Sequence, residues 1–197
     1  MITHIPETDF DACIFDCDGT LADTMPLHYK AWCTALAEHR AEFPEALFYE
    51  LGGVPTVTIV EILNERHGHR MPPEETAAAK ERLFVEMIPQ ALPIGPVVEI
   101  VHRFYGRKPL AVASGGHRAI VTRTLSAIGI VDKFVTIVGA EDYRNGKPAP
   151  DPYLEAARRL GIAPERCLVF EDTATGIESA TRAGMRSVLV PRPGQPA

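Results

Sequence analysis

Short apolar runs recur along the chain, and they are continuous rather than alternating with polar residues. This pattern is typical of strands that are buried on both faces of a parallel sheet. We therefore predict strands at ACIF (12–15), PLAVAS (109–114), FVTIVGA (134–140), CLVFED (167–172) and SVLVP (187–191).

The segments that separate the last four runs carry helix signals. Asp151 and Pro152 open one segment as N-cap and first helical residue, and Thr175 with Glu178 forms a capping box in the next. Each segment ends at a glycine, a residue that often closes a helix. This alternation of strand and helix predicts an α/β fold with a doubly wound, parallel, Rossmann-like sheet.

Residues 24–91 break this rhythm, because no strong strand pattern occurs among them. Stretches with helical character fill the region instead: MPLHYKAWCTALAEHR, PEALFYELGG, TVTIVEILNERHG and EETAAAKERLFVEMI. The simplest organisation is a helical insertion after the first strand. We predict an α/β core formed by residues 1–23 and 92–197, with the insertion at 24–91.

Composition narrows the classes of function. The chain has 197 residues, a size that suits one core with a small insertion, and a net charge of −6. Because it has no basic stripe, we expect no nucleic-acid partner. No apolar stretch is long enough to span a bilayer, and the first residues lack the basic and apolar regions of a signal peptide. We therefore expect a cytoplasmic protein with no membrane partner.

Polar groups follow the first four runs, at the point where each predicted strand ends. In an open parallel sheet the carboxyl ends of the strands share one edge, and ligands bind there. The groups that we expect at this edge are Asp16 and Asp18 after the first run, Ser114, Gly115 and Gly116 after the second, Lys147 in the loop after the third, and Glu171 and Asp172 at the end of the fourth.

These groups predict a metal site next to a phosphate site. Asp16, Asp172 and Glu171 offer the carboxylate oxygens that Mg²⁺ prefers. The Ser114 hydroxyl and the backbone N–H groups of the two glycines, at a helix start, can hold a phosphate. Lys147 adds a positive charge at the same edge.

The same set supports phosphoryl transfer. Asp16 would attack phosphorus and form an aspartyl-phosphate. Asp18 would protonate the leaving oxygen and then take a proton from the attacking water. A carboxylate that approaches a phosphate is repelled by roughly 4 kcal/mol per charge pair at ~4 Å and an effective dielectric constant of about 20. The metal ion and Lys147 would offset this repulsion.

Each signal alone has a simpler explanation. A DxDGT sequence can be a solvated turn, SGG can serve any strand–helix turn, and a lone lysine is most often at the surface. The order of the signals at successive strand ends favours one shared phosphoryl-transfer site. Two functions besides hydrolysis stay open: a phosphomutase that uses the same nucleophile, and a non-catalytic binding module that retains the fold.

The order of these motifs resembles that of the haloacid dehalogenase superfamily, over essentially the whole chain. DCDGT at 16–20 is similar to the first motif of the superfamily and Ser114 to the second. Lys147 is similar to the third motif, and ED at 171–172 to the fourth.

The resemblance implies roles for these residues. Asp16 would be the nucleophile and Asp18 the general acid and base. Mg²⁺ would be bound by Asp16, the backbone carbonyl of Asp18 and the carboxylate of Asp172, with Glu171 close by. Whether Glu171 binds the metal directly or through water stays open. The insertion at 24–91 would be a cap domain.

Longer stretches resemble the β-phosphoglucomutase-type branch, which includes bacterial fructose-1-phosphate and 6-phosphogluconate phosphatases. The stretches are FDCDGTLADTMPLHYKAW, ASGGHRAI and GKPAPDPYLEAARRLGI. The resemblance implies a small phosphorylated metabolite as the substrate. His28 matches a histidine that the branch places over the active site, although a lone histidine on a helix is more often a surface or half-buried residue. His117 follows the glycines closely enough either to reach a substrate hydroxyl or phosphate or simply to begin a helix.

The loop LGGVPTVT departs from the mutases of this branch. Where they carry a lysine and an arginine that grip a second phosphate, this chain has Gly52 and Thr56. Neither residue is charged, whereas the guanidinium fork of arginine suits phosphate. We therefore expect a sugar-phosphate phosphatase, in which Gly53 and Thr56 offer the substrate only a backbone N–H and a hydroxyl.

Overall fold

A computed structural model describes residues 9–192 of the chain. The chain forms two compact units: one runs up to Asp23 and resumes at Ala91, and the other is Thr24–Gln90. The predicted boundaries at 23/24 and 91/92 lie at, or one residue from, the limits of these units. The assignment of the first unit as the catalytic core and of the second as a cap stays a prediction.

Within residues 9–192, the strands are β1 (Ala12–Phe15), β2 (Ala22–Asp23), β3 (Leu92–Pro93), β4 (Leu110–Ala113), β5 (Thr136–Val138), β6 (Cys167–Glu171) and β7 (Arg186–Leu189). The α-helices are α1 (Met25–Ala37), α2 (Glu45–Glu50), α3 (Thr56–His67), α4 (Pro73–Met87), α5 (Gly95–Phe104), α6 (Arg118–Ala127), α7 (Asp151–Leu160) and α8 (Ala174–Arg182).

The five-stranded sheet has the order β5-β4-β1-β6-β7, and each neighbouring pair is parallel. Phe15, the last residue of β1, pairs with Val112 of β4 and with Phe170 of β6. The carboxyl ends of these three strands therefore lie side by side. The predicted α/β fold with a doubly wound parallel sheet is confirmed.

Helices cover both faces of this sheet. Side chains alternate along β1, so that Cys13 and Phe15 pack into one cluster while Ala12 and Ile14 pack into another. Residues of α5 and α6 complete the first cluster, and residues of α7 and α8 complete the second. This double coverage explains why the apolar run of β1 is continuous.

Helix α5 and the short antiparallel pair of β2 with β3 are not among the predicted elements. Gly95 and Pro96 begin α5 and indicate a loop when read alone, yet proline fits the first turn of a helix. Val97, Ile100 and Phe104 are buried along one face of α5. Their spacing at i, i+3 and i+7 is the helical signal in this segment.

The predicted N-cap of α7 is wrong. The helix begins at Asp151 itself, with Pro150 in the cap position. The Asp151 carboxylate instead accepts hydrogen bonds from the backbone and side-chain amides of Asn145, at 3.1 and 3.0 Å. Its role is to fix the loop that precedes the helix.

The predicted capping box of α8 is also wrong. Thr173 is the N-cap, and its hydroxyl accepts a hydrogen bond from the backbone N–H of Gly176 at 3.0 Å. The helix begins at Ala174, so Thr175 and Glu178 lie inside it and cannot cap it. Because threonine recurs at 173 and 175, the sequence offers two candidate caps and does not distinguish them.

The Thr24–Gln90 unit consists of α1–α4 around its own core. Trp32, Leu36, Phe43, Phe48 and Leu63 are among the residues buried there. Separately, in the part of the chain that the structure describes, no helix is long and apolar enough to cross a membrane.

Candidate active site

Asp16 follows directly after β1, at the carboxyl end of the central strand. Its backbone N–H donates a hydrogen bond to the Phe170 carbonyl of β6 at 3.0 Å, which extends the pairing of the two strands. Asp16 is only 7% exposed. A buried carboxylate is costly unless nearby charges or donors compensate it, so the surroundings of Asp16 decide what it can do.

Two more carboxylates lie beside Asp16. Glu171 is the last residue of β6 and Asp172 follows it, and both are buried. One carboxylate oxygen from each of these three residues lies within 4.8 Å of the others. The adjacent, parallel β1 and β6 bring them together, at the edge where the sequence predicts them.

Lys147 connects two members of this carboxylate cluster. Its Nζ lies 2.7 Å from Oδ1 of Asp16 and 2.6 Å from Oε2 of Glu171. The lysine comes from the loop between β5 and α7, and its side chain is 9% exposed. It is therefore a buried ion-pair partner of the cluster and not a surface lysine.

The carboxylate of Glu171 is surrounded by hydrogen-bond donors. Oε2 accepts from Lys147 and from the hydroxyl of Tyr153, each at 2.6 Å. Oε1 accepts from the backbone N–H groups of Asp172 and Thr173, at 3.1 and 2.9 Å, and from the Thr173 hydroxyl at 2.8 Å. Both oxygens are thus engaged with protein donors, so Glu171 is occupied in holding Lys147 and the start of α8.

Burial and charge shift the pKa values of these groups in different directions. Burial opposes ionisation of Glu171, but the charge of Lys147 and the hydrogen bonds from Lys147, Tyr153 and Thr173 together outweigh it and lower the pKa of Glu171. Burial also opposes the charged form of Lys147, but Asp16 and Glu171 raise its pKa well above the usual range. The pair of Lys147 and Glu171 is therefore ionised at neutral pH.

The other two carboxyl groups behave differently. Burial raises the pKa of Asp16 well above its usual range, with Lys147 acting against the shift and Glu171 adding to it. Burial and the neighbouring Glu171 raise the pKa of Asp172 to about 7. One ammonium is too little positive charge for three buried carboxylates. An all-oxygen set with this charge imbalance fits a divalent cation.

Ser114 follows β4 and is 1% exposed. Its Oγ accepts a hydrogen bond from the backbone N–H of Gly116 at 3.1 Å, and its carbonyl accepts one from the Tyr143 hydroxyl at 3.1 Å. These contacts fix the turn into α6, while Gly115 is exposed. Because Gly116 donates to Oγ, the serine hydroxyl hydrogen points elsewhere.

Asp18 is half-buried in the turn that follows β1. Its position is shown by Gly116, where an added methyl group would lie 4.0 Å from Oδ2 of Asp18 and 3.6 Å from Oγ of Ser114. The carboxylate of Asp18 therefore lies near the predicted phosphate-binding turn. Asp16, Asp18, Ser114, Gly116, Lys147, Glu171 and Asp172 are all brought to the same edge of the sheet.

Gly19 lets the chain pass close to Asp172. It has φ +83°, and an added Cβ would lie 2.6 Å from Oδ2 of Asp172. The opposite oxygen of Asp172 accepts a hydrogen bond from the Thr20 hydroxyl at 3.2 Å, which restricts how far the carboxylate can move. Any side chain at position 19 must therefore displace Asp172.

We expect Gly19→Ala to lower both stability and turnover. Gly106→Ala is the matched control, because Gly106 has φ +74° but nothing within 4 Å of an added Cβ. Backbone strain alone should cost each variant about 1–2 kcal/mol in urea unfolding. Gly19→Ala should lose more than Gly106→Ala and also most of its activity. Equal losses in the two variants would show that the contact with Asp172 is unimportant.

His117 lies at the start of α6 and is exposed. Its Nδ1 is 3.4 Å from Oε2 of Glu141. The Glu141 carboxylate also accepts from the backbone N–H of Arg118, at 3.1 and 3.2 Å, and so covers the first helical N–H of α6. A substrate role for His117 stays a prediction.

His28, Gly53 and Thr56 belong to the Thr24–Gln90 unit, and their predicted contacts with substrate stay predictions. The structure shows that His28 and Thr56 belong to one polar cluster with Lys80 and Glu81. Nζ of Lys80 is 2.8 Å from Nδ1 of His28 and 3.0 Å from Oε1 of Glu81, and the Thr56 hydroxyl donates to that same oxygen at 2.8 Å.

Sequence reasoning missed two buried polar residues. Lys80 lies in the helical pattern of α4, where lysine ordinarily faces solvent, but it is 4% exposed. Tyr153 lies on the buried face of α7, where an aromatic residue indicates core packing. In both cases the sequence signal is a polar atom at an apolar position of the helical pattern. A buried polar atom needs a hydrogen-bond partner, so such a residue is expected to contact another polar group.

Comparison with known proteins identifies the family. A family model described as a haloacid dehalogenase-like hydrolase matches residues 10–184. The chain therefore belongs to the haloacid dehalogenase-like hydrolases, and the resemblance noted in the sequence is confirmed.

Individual relatives narrow the comparison. The fructose-1-phosphate phosphatase YqaB of Escherichia coli is 36% identical over 177 residues, which cover 90% of this chain and 94% of the relative. The phosphorylated carbohydrates phosphatase of Thermotoga maritima is 29% identical over 182 residues, covering 90% and 83%. The crystal structure of β-phosphoglucomutase from Clostridium difficile matches with a TM-score of 0.81 and 25% identity, covering 91% of this chain and 84% of that one.

Proposed function

We propose that this chain is a Mg²⁺-dependent phosphatase that hydrolyses small sugar phosphates through an aspartyl-phosphate on Asp16. The observation that carries the proposal is the position of Lys147 between Asp16 and Glu171, inside a cluster of buried carboxylates. Lys147 lies on one side of the Asp16 carboxylate and the acidic groups that could bind a metal lie on the other. Positive charge from the lysine and the metal would stabilise an anionic substrate at this position.

Asp16 is the nucleophile in this proposal. Its Oδ1 accepts a hydrogen bond from Lys147, which holds the carboxylate in one orientation at the end of β1. Burial raises the pKa of Asp16 and the ammonium opposes that shift only in part, so a bound divalent cation would be needed to keep the carboxylate ionised. A desolvated, oriented and ionised carboxylate can attack phosphorus and become an acyl phosphate.

Asp18 and Ser114 complete the reacting groups. Asp18 is half-buried and therefore in contact with solvent, as a group that exchanges protons must be. It protonates the leaving oxygen in the first step and takes a proton from water in the second. The hydroxyl of Ser114, whose Oγ already accepts from Gly116, donates to a phosphoryl oxygen.

A bound Mg²⁺ would be held by Asp16 and Asp172 and, following the resemblance, by the backbone carbonyl of Asp18. It would neutralise charge on the phosphoryl oxygens and help to orient them. Glu171 is a poorer candidate for direct coordination, because both of its oxygens already accept hydrogen bonds from protein donors. We therefore assign Glu171 to the support of Lys147.

The substrate class is supported by the named relatives. One acts on fructose 1-phosphate and another on phosphorylated carbohydrates, and both align with about nine-tenths of this chain. We assign a small phosphorylated sugar as the substrate on this basis. The expected absence of nucleic-acid and membrane partners and the cytoplasmic location stay predictions.

The loop around Thr56 supports hydrolysis over isomerisation. Gly52 and Thr56 occupy the positions where the mutases of the resembling branch have cationic residues. The hydroxyl of Thr56 donates to the carboxylate of Glu81, and Lys80 helps to lower the pKa of that carboxylate, so it is anionic at neutral pH. A second phosphate at Thr56 would meet a carboxylate that is already paired with Lys80, instead of a guanidinium group.

The direct test is a panel of phosphorylated metabolites assayed for inorganic phosphate with and without Mg²⁺. We expect phosphate release from one or more hexose monophosphates, and no interconversion of glucose 1-phosphate and glucose 6-phosphate by NMR. Hydrolysis of nothing in the panel would overturn the proposal. Isomerisation without phosphate release would replace it with the phosphomutase alternative.

A further inference from the structure

Tyr153 lies in the first turn of α7 and is completely buried at 0% exposure. Its ring packs in the cluster that also contains Ile14 and Val169. By its position in the helical pattern it is an ordinary core residue. Its hydroxyl, however, is directed at the end of β6, where the carboxylate cluster begins.

That hydroxyl donates a hydrogen bond to Oε2 of Glu171 at 2.6 Å. The same oxygen accepts the hydrogen bond from Lys147, also at 2.6 Å. Nζ of Lys147 lies 4.9 Å from the centroid of the Tyr153 ring, within the range of a cation–π interaction. One tyrosine therefore contacts both partners of the buried ion pair, through two different parts of its side chain.

We propose that Tyr153 is a positioning residue of the active site, which keeps Lys147 shared between Glu171 and the nucleophile Asp16. The proposal rests on the proposed phosphatase function, because it assigns Tyr153 a part in that reaction. It adds a residue from the helical core to a site that otherwise consists of groups from strand ends and loops.

Glu171 and Asp16 compete for one ammonium group, that of Lys147. Lys147 is 2.6 Å from Glu171 and 2.7 Å from Asp16, so its charge is divided between them. A hydrogen bond from the phenol disperses negative charge on Oε2 and weakens the pull of Glu171 on Lys147. Without the hydroxyl, Glu171 would hold Lys147 more strongly and leave less positive charge for Asp16 and the transferred phosphoryl group.

Geometry also favours this role over simple satisfaction of a buried hydroxyl. The opposite oxygen of Glu171 is fixed by Thr173 through its backbone and hydroxyl groups. The carboxylate therefore cannot rotate freely, and Oε2 is held in place to receive the hydrogen bonds of both Tyr153 and Lys147. Gly176 adds to the restriction, because a Cβ there would lie 2.0 Å from Cδ of Glu171, which shows how tightly the group is enclosed.

The first test is Tyr153→Phe, which removes the hydroxyl and keeps the ring. We expect kcat for the best substrate of the panel to fall about tenfold while KM changes less than about twofold. The wild-type protein is assayed in parallel. If it hydrolyses no substrate, the phosphatase proposal fails, whereas activity that is equal in wild type and variant overturns only the role of Tyr153.

Thr124→Val is the matched control. It also removes a hydroxyl from a buried side chain of the same unit, where Thr124 donates to the Ile120 carbonyl within α6. Both variants are assayed at a temperature at which circular dichroism shows them folded. A structural role for Tyr153 predicts that the two variants lose stability alike and keep kcat. The positioning role predicts a loss of kcat in Tyr153→Phe alone.

The second test is a double-mutant cycle with Glu171→Gln. If Tyr153 acts through Glu171, Tyr153→Phe should change kcat about tenfold in the wild-type background and less than about twofold in the Glu171→Gln background. Equal effects in both backgrounds would contradict the proposed route. If Tyr153→Phe is too unstable to assay, Mg²⁺ with inorganic phosphate is added to stabilise the folded state. Failure to fold even then would show that the hydroxyl is structural and overturn the proposal.

Discussion

Asp16→Asn is expected to reduce phosphate release to background, a loss on the order of 10⁴-fold or more. The substitution keeps the shape of the side chain but removes the attacking charge and one metal-binding oxygen. The fold should survive, because the substitution removes a buried carboxylate that lies against Glu171 and Asp172. Circular dichroism and phosphate release measured on the same preparation would test both parts.

Asp11→Asn is the matched control for this prediction. Asp11 precedes β1 as Asp16 follows it, and its exposed carboxylate pairs with Arg166 at 2.8 Å. Loss of such a surface pair should cost at most about 1 kcal/mol of stability and leave turnover unchanged. If Asp16→Asn kept substantial activity, or if both variants lost activity equally, Asp16 could not be the nucleophile.

Removal of divalent metal is expected to have the next largest effect. Three buried carboxylates and one lysine leave an excess of negative charge even before an anionic phosphate binds. Turnover should therefore fall about 10³-fold or more in excess chelator, the equivalent of several kcal/mol of transition-state stabilisation. Added Mg²⁺ should restore it, and Ca²⁺ should inhibit because its coordination is larger and looser.

Asp172→Asn tests where the metal binds. It should raise the Mg²⁺ concentration needed for half-maximal activity. Asp142→Asn serves as control, because Asp142 is also a largely buried carboxylate of the same unit but is held by Arg118 and Arg159. Full activity of the wild-type protein in chelator, or an equal shift in Mg²⁺ requirement for both variants, would be incompatible with the proposed metal site.

The central strands could be predicted from the sequence because they are buried on both faces, whereas the order of the strands in the sheet comes from the structure alone. A continuous apolar run as short as Ala12–Phe15 favours a buried strand over a helix because of its length. The outer strands are less exact. β5 and β7 are partly exposed at the edges, so their apolar runs extend beyond, or start after, the residues that pair.

The groups at the strand ends were predictable for the same reason. Asp16 and Asp172 each follow directly after a strand, and the carboxyl ends of all strands in a parallel sheet share one edge. What could not be predicted is how these groups share hydrogen bonds. The sequence places Glu171 beside the predicted metal ligand Asp172, but only the structure shows that the oxygens of Glu171 accept from Lys147, Tyr153 and Thr173.

The sequence also did not predict the helix ends correctly or identify the polar residues that are buried inside helices. A helix cap depends on one hydrogen bond. Thr173 and Thr175 are two residues apart, and the hydrophobic pattern does not locate the start of the helix closely enough to choose between them. The only sequence signal from the buried Lys80 and Tyr153 is a polar atom at an apolar position of the helical pattern, and this signal does not identify the partner of that atom. Only the structure shows that Lys80 pairs with Glu81 and that Tyr153 donates to Glu171.

The most direct test of the aspartyl-phosphate mechanism is to identify the covalent intermediate in an Asp18→Asn variant. This variant lacks the group that activates water, yet p-nitrophenyl phosphate has a leaving group that needs no protonation. We predict a burst of about one nitrophenolate per protein molecule, and phosphate attached to Asp16 when the reaction is quenched in acid and its peptides are weighed by mass spectrometry. A phosphate on any other residue, or steady hydrolysis with no burst and no phosphorylated peptide, would contradict the aspartyl-phosphate mechanism.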